Sequence, residues 1–398
     1  MRFLRTASTA RLLTAITAVL VAISAGAAIA VAAVGGGPVA RPASLASAVH
    51  AALAGPRVDG VSADITFTDN LIDSSDFTGQ ATDPLLQGAS GRLWIGDGQL
   101  RIELQSGDGD AQIVVDHRSW WISDPTQNVV YEGMLPADAM GSGTTDGHGI
   151  PTVSEIRAEI TRLMGAVDVS AAQPTDIAGQ AAYRVTLSPK GGGGLVGSVD
   201  LAWDAVRGIP LSLDVYARGD ATPVLGLTAT DISYGPVPSS DFAVSPPAGA
   251  TVVQLGDFTD TAAAGVKTHG RAITGVVQVA GHLNIPLHPP STVLGLPLRS
   301  TRLVDVGGQD AALMVYGHGV GAVVVTETRA VGVAPANSPS VGGLSLPTRR
   351  IAGGLATVLS TPLGTLLDLR LNGVADTIVG SITSADAQTA ASQFTAGQ

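Results

Sequence analysis

Residues 93–134 read LWIGDGQLRIELQSGDGDAQIVVDHRSWWISDPTQNVVYEGM. Leu93 and Ile95 lead into Gly96-Asp97-Gly98, after which Leu100, Ile102 and Leu104 alternate with Arg101 and Glu103. Gly107-Asp108-Gly109-Asp110 breaks the chain before residues 113–115. Asp116-His117-Arg118 turns it into residues 119–122, and Asp124-Pro125 precedes residues 129–131. Side chains of an extended chain point to alternate faces, so a period of two marks a half-buried strand. Strands this short, joined by Gly/Asp turns, predict an antiparallel meander. One face is apolar and the other charged, so only one side needs covering.

The same signal extends both ways. Upstream, Val61, Ala63, Ile65 and Phe67 alternate with smaller or polar residues. Before them, residues 42–53 predict a short amphipathic helix with Ser44 as N-cap and Leu45, Val49 and Leu53 on one face. Downstream, residues 152–164 predict a second helix with Ile156, Ile160 and Leu163 on one face and Thr152 or Ser154 at the cap. The meander resumes with Tyr183, Val185 and Leu187, with Val199, Leu201 and Trp203, with Leu211, Leu213 and Val215, and with a strand over residues 224–234. A Pro/Ser-rich stretch, residues 236–247, closes this unit.

Residues 257–271, rich in Thr, Ala and Gly, read as a linker. A second unit begins near Gly275, with strands expected at 303–306, 312–316, 321–327, 356–359, 364–371 and 374–380, then a terminal helix over 384–394 capped by Ser384. The expected layout is 1–40 as signal or anchor, 41–256 as the first domain, 257–274 as linker and 275–398 as a smaller α+β domain.

Residues 1–11 carry Arg2, Arg5 and Arg11 and no acid, and residues 12–34 are uncharged and mostly Ala, Val, Leu and Ile. Gly35-Gly36-Gly37-Pro38 then ends any helix. This is an export signal. The run exceeds the roughly 7–15 residues of a cleaved signal core and approaches the ~20 that span a bilayer, which favours a transmembrane anchor. Ala28-Ile29-Ala30 offers a small-residue cleavage site, so a released form stays open. Arginines ahead of the run leave the N-terminus in the cytoplasm and the rest outside. The expectation is an extracytoplasmic chain of the cell envelope, membrane-associated through residues 12–34.

A net charge of -11, with Lys190 and Lys267 the only lysines, leaves no basic stripe for nucleic acid. The chain has no cysteine, which excludes disulfides, thiolate metal sites and a thiol nucleophile. Lys190-Gly191-Gly192-Gly193-Gly194 has its Lys before the glycines and lies between strands, so it reads as a hairpin turn and not a phosphate loop. Asp108-Gly109-Asp110 lacks the downstream ligands of a calcium loop and reads as a solvated turn. His282, His288 and His318 have no metal-ligand spacing, no nucleophile elbow occurs, and Glu155 and Glu159 sit one turn apart as on an exposed helix face. No cofactor, no metal and no catalytic residue is expected.

Trp94, Trp120, Trp121 and Trp203 all fall in strands of the first unit. Trp120 and Trp121 are adjacent and must point to opposite faces. Either one is a rim residue on an ordinary sheet, or the sheet is curved and its concave face holds an apolar ligand.

Several motifs, in order, resemble the bacterial outer-membrane lipoprotein carrier (LolA-like) family. These are residues 91–94 and 114–121, Trp120-Trp121-Ile122-Ser123-Asp124-Pro125, residues 182–189, 201–204, 208–211 and 231–234, and Phe242 through Ala250. The resemblance covers about residues 42–253. It implies a strongly curved antiparallel half-barrel closed by short helices, mainly β with α, around an apolar cavity for acyl chains. On that reading Leu45, Val49, Ile156 and Ile160 on the two helices, with Trp94, Trp120, Trp121 and Trp203, line the ligand. Residues 353–355, 363–365 and 380–382 resemble more weakly the C-terminal domain of sigma-E regulatory (RseB) proteins. The expected function is a non-catalytic extracytoplasmic carrier of lipid or lipoprotein acyl chains. The alternative is a membrane-anchored regulatory module that senses lipid or lipoprotein and binds an anti-sigma-type membrane partner.

Overall fold

The structure is a computed structural model. It describes residues 37–71, 85, 88–105, 109–125, 128–135, 151–191, 194–254, 266–268, 273–306, 309–330, 340–341, 344–345 and 348–395. The export segment therefore lies outside the described residues. The transmembrane expectation is corrected: among the described residues no helix is long and apolar enough to cross a membrane.

The chain is mostly β. Helix α1 (Leu45–Leu53) is followed by β1 (Gly60–Asp69), β2 (Ala89–Gly96), β3 (Gln99–Leu104), β4 (Ala111–Asp116), β5 (Ser119–Asp124) and β6 (Val129–Met134). Helix α2 (Val153–Leu163) then precedes β7 (Val167–Val169), β8 (Gln173–Ile177), β9 (Gln180–Pro189), β10 (Val196–Asp204), β11 (Pro210–Ala217), β12 (Pro223–Tyr234) and β13 (Thr251–Gln254). These thirteen strands form one sheet in the order β13-β6-β5-β4-β3-β2-β1-β12-β11-β10-β9-β7, with β8 also on β9. The chain starts at the centre with β1, winds outward to β6, crosses to the far edge, and winds back until β12 pairs with β1.

Turn chemistry sets the meander. Asp97 and Gly98 join β2 to β3 with φ 46° and 74°, the two positive values that a two-residue hairpin turn demands. Cross-strand register then stacks Leu93, Ile102, Ile113, Ile122 and Tyr131 on one face. Trp94, Arg101, Val114, Trp121 and Glu132 stack on the other.

That second face is not left open, contrary to the expectation that one side needs covering. Val114, Ser123 and Val130 are buried on it. After β12 the Pro/Ser-rich stretch crosses back over the meander. Arg101 Nη1 donates to Asp241 O at 2.9 Å, buried Phe242 lies over Gly96, and Asn128 Nδ2 donates to Gly249 O at 3.2 Å. The crossing delivers β13 parallel to β6, so the first unit extends past the stretch that was to close it.

Both expected helices form at their predicted caps. Ser44 Oγ accepts from Ser47 N, and Thr152 makes a capping box with Glu155. Glu155 accepts the Thr152 N–H and hydroxyl, which holds its carboxyl below the usual range. Helix α1 packs on the sheet, while α2 lies against α1.

The second unit is a nine-stranded sheet. Its members are β14 (Val266–Thr268), β15 (Thr292–Val293), β16 (Leu296–Val306), β17 (Gln309–Tyr316) and β18 (Val323–Arg329). A separate hairpin of β19 (Ser340–Val341) and β20 (Leu344–Ser345) precedes β21 (Thr348–Ile351), β22 (Gly354–Thr361), β23 (Gly364–Leu371) and β24 (Val374–Gly380). Their order is β14-β16-β17-β18-β24-β23-β22-β21, with β15 on β16. Helix α3 (Val276–Ala280) and helix α4 (Ser384–Thr395) cover one face. Phe394 meets the Tyr316 ring edge-on at 5.8 Å. The cap of α4 is Thr383, not Ser384, because Asp386 N donates to Thr383 Oγ1. Val266–Thr268 pair with β16 inside the stretch read as linker. The units touch where Leu195 N and Val196 N donate to Ser381 Oγ at 2.7 and 3.2 Å.

Candidate functional site

The site grows from the place where the two windings of the first sheet meet. Val61, Ala63 and Ile65 of β1 face Tyr234, Ile232 and Ala229 of β12. Between Asp64 and Ile65 the register shifts, and β12 accommodates one extra residue, Thr230. Further shifts fall between β10 and β11 and between β11 and β12. Such irregularities bend a strand and raise its local twist. At this centre lies an apolar cavity of about 40 Å³ whose walls include Val61, Ala63, Ile65, Leu211, Leu227 and Ala229. It is far smaller than the roughly 150 Å³ of a dry apolar cavity that takes up benzene. Ala63 and Ala229, small side chains among Val, Ile and Leu, leave the space. Ser212 also lines the cavity, and its buried hydroxyl has no hydrogen-bond partner.

One end of the cavity is fixed by a buried polar cluster. Asp204, 1 % exposed, closes the turn from β10 to β11 by accepting from Val206 N at 2.7 Å and Arg207 N at 2.8 Å on Oδ1. Its Oδ2 accepts from Arg207 Nη1 at 3.1 Å and from the Tyr234 hydroxyl. The Arg207 guanidinium lies over the Tyr234 ring at 4.4 Å. Burial, then the hydrogen bond to Asp204, raises the Tyr234 pKa, so this hydroxyl is a fixed donor. Ile209, which lines the cavity, follows this turn directly, and Ile232 lies two residues from Tyr234.

Helix α1 leans on the same turn. A Cβ at Gly208, where φ is 73°, would fall 2.5 Å from Ala52 O, so only glycine lets the helix end approach. Leu45 and Val49 pack there with Ala48, Tyr183 and Trp203. Tyr183 OH donates to Arg41 O at 2.6 Å, fixing the chain that enters α1.

The eight predicted ligand-lining residues are thus distributed. Trp203, Leu45 and Val49 come together in the α1 cluster beside the cavity. Ile156 is buried and Ile160 half-buried on α2, whose start is tied to α1 by His50 Nδ1 and Pro151 O at 2.9 Å. Trp120 is buried on the apolar face, in register with Val115 and Leu100. Trp94 and Trp121 lie on the opposite face, Trp94 with the Arg101 guanidinium 4.9 Å from its ring centre. None of the eight is in the cavity wall. Alternation identified the apolar face, but the small residues that open a cavity carry no periodic signal. The Asp204 cluster was missed as well, although an Asp three residues before Arg207-Gly208 is a recognisable turn signature.

Among the described residues no group of three or more His, Asp or Glu side chains is placed to hold a metal.

No family model and no curated protein matches the sequence. Solved structures similar to the chain include the Pseudomonas aeruginosa MucA/MucB complex, 15 % identical over 87 % of this chain and 96 % of that one, with a TM-score of 0.39. An uncharacterized conserved protein from Thermus thermophilus is 9 % identical, over 52 % and 98 %, with a TM-score of 0.33. A putative outer membrane lipoprotein-sorting protein domain from Vibrio parahaemolyticus is 11 % identical, over 46 % and 89 %, with a TM-score of 0.15. With TM-scores below 0.5, none of the three establishes a shared fold or activity.

Proposed function

We propose that this chain is a non-catalytic extracytoplasmic binding protein whose first unit, residues 41–256, is a curved half-barrel that takes an acyl chain of a lipid or lipoprotein. The observation that carries the reading is the apolar cavity at the centre of the sheet, whose walls hold no ionisable side chain. Register shifts on β1–β12 and on β10–β12 supply the bending that a half-barrel needs. The basic, then apolar, N-terminal sequence supports export. In this reading the smaller unit begins by β14, within the stretch expected to be linker, and the α1 cluster of Leu45, Val49 and Trp203, beside the cavity and not in its wall, is the part that moves.

At about 40 Å³ the resting cavity is too small for an alkyl tail, so in this reading the sheet must open around it for ligand to enter. Delipidated full-length protein titrated with a fluorescent fatty-acyl probe tests this. Saturable binding at micromolar probe, displaced by unlabelled fatty acid, is expected. Purely linear, non-displaceable uptake removes the proposal.

The hydrogen bonds from Leu195 and Val196 to Ser381 favour a second reading, in which the smaller unit reports ligand occupancy to a membrane-protein partner of the anti-sigma type. Hydrogen exchange around residues 195 and 381, with and without the acyl probe, separates the two. A change at both ends of the contact supports signalling, and no change leaves carriage alone.

A further inference from the structure

The second sheet buries two acids side by side. Val323, Val325 and Glu327 share a face of β18, because strand residues two apart point the same way. That face is the one under α4, where Val323 and Val325 belong to the core. Strand β24 is the neighbour, and Asp376 lies directly opposite Glu327. Cross-strand partners have Cβ atoms roughly 4.5–5.5 Å apart. Each residue is 1 % exposed. Glu327 Oε1 and Asp376 Oδ1 are buried without a hydrogen-bond partner.

Among the described residues no cation compensates them. Along the same cross-strand row stand Leu303, Ala312, Leu369 and Ala356, all apolar, and then Arg349 on β21. Arg349 is exposed and three strands from Asp376, about 14 Å at the usual strand spacing. Arg329, two residues beyond Glu327, is exposed, and its neighbour Thr328 bonds to Asp310 O on the adjoining strand. On β17 the same face carries Tyr316, whose hydroxyl donates to Pro290 O, and, one row beyond Glu327, exposed Asp310 opposite Asp305 of β16. On β23 Asp368 lies on the opposite face and pairs with Arg370 at 3.1 Å. Helix α4 presents Ala387, Ala390, Ala391 and Phe394, its Asp386 being exposed and bonded to Thr383. Helix α3 has no ionisable residue.

Two carboxylates at directly paired strand positions in a low-dielectric core cannot both stay charged. We propose that Glu327 and Asp376 hold protons between β18 and β24 and form a pH-sensitive clasp in the smaller unit, closed in acid and loosened as pH rises. In the closed form a carboxyl O–H donates to the carboxyl oxygen opposite. Opening releases both protons to water or buffer, one after the other, and leaves two carboxylates facing each other, with no other bond changed.

The electrostatics agree in direction. Burial, then the charge of Asp376, pushes the Glu327 carboxyl up to about 8. Burial, then the charge of Asp368, pushes Asp376 up to about 7. Unfolded carboxyls titrate near 4. The clasp's contribution is therefore full below about pH 4 and is lost as pH rises through 7 to 8.

Hydrogen exchange of the full chain between pH 5 and 8 reads this out, each rate being divided by the base-catalysed rate of the free peptide. Amides of residues 323–329 and 374–380 should lose protection by up to about tenfold per pH unit for each proton released. Amides of β1 and β12 should hold level. Glu327→Gln/Asp376→Asn should flatten the pH dependence of the second sheet. If the double substitution does not fold, the single ones serve, and each should reduce the slope. A flat response in the parent chain, or a parent slope retained in the substituted chains, overturns the clasp.

Discussion

Asp204→Ala should destabilise the first unit by about 3 kcal/mol. The carboxylate accepts from two backbone N–H groups, from Arg207 Nη1 and from the Tyr234 hydroxyl. Hydrogen bonds to a charged group are worth about 1.5–3 kcal/mol each, but a straight sum overstates the loss, because part of the cluster can reach water. The Arg207 side chain is 28 % exposed and Val206 is 57 % exposed, so the guanidinium and the turn N–H groups can be rehydrated. Tyr234 is only 5 % exposed, and its hydroxyl would be stranded, which alone costs about 1–3 kcal/mol. Loss of the turn bonds brings the total to about 3 kcal/mol, at the lower end of what breaking a buried charge cluster costs. All four tryptophans lie in the first unit, so tryptophan fluorescence during urea unfolding isolates it from the second. Tyr234→Phe should cost about 1–2 kcal/mol, and the double substitution should show a coupling energy of about 1 kcal/mol or more. An Asp204→Ala midpoint within about 0.5 kcal/mol of the parent, at unchanged slope, would refute the reasoning.

Ala229→Phe fills the cavity opposite Ile65, and should weaken acyl-probe binding at least about tenfold while overpacking costs about 1–3 kcal/mol, checked by probe titration beside urea unfolding. Phe394→Ala removes a 1 % exposed ring that meets Tyr316, and should cost the second unit about 3–5 kcal/mol, read by hydrogen exchange of β23 and β24. Gly91→Ala would place a Cβ 2.1 Å from Glu103 O, a backbone atom that cannot step aside, so loss of β2–β3 protection with about 2 kcal/mol or more of destabilisation is expected.

Local patterns made the meander readable. Alternation in residues 93–134 placed β2 to β5 to within a few residues, because Gly/Asp turns fix a hairpin locally. Residues 364–371 and 374–380 were likewise delimited as strands, with Asn372-Gly373 between them adopting positive φ of 50° and 81°. The caps Ser44 and Thr152 were legible for the same reason, since a cap is a contact three residues long. Strands β7, β8 and β13 were not read. They are short, and β13 is recruited by β6 from more than a hundred residues away. The Phe242 crossing was hidden too: Pro-rich sequence announces a turn, but not which face the chain then covers.

The site was least legible because it is made by pairing at long range. Ile65 meets Ala229 and Glu327 meets Asp376 only after each sheet has closed, and no short window of sequence contains either pair. Read alone, Glu327 at the end of Val323-Val324-Val325-Thr326 resembles a charge that ends a strand at the surface. The sheet continues past it to Arg329, and pairing with β24 carries it into the buried interior instead. The two sheets thus use their centres in opposite ways. In the first, small residues at the junction leave an apolar space. In the second, the equivalent central position carries two buried acids facing each other. Ligand occupancy should therefore act on the first unit and pH on the second, and the Ser381 contact is the described place where either change can be felt by the other.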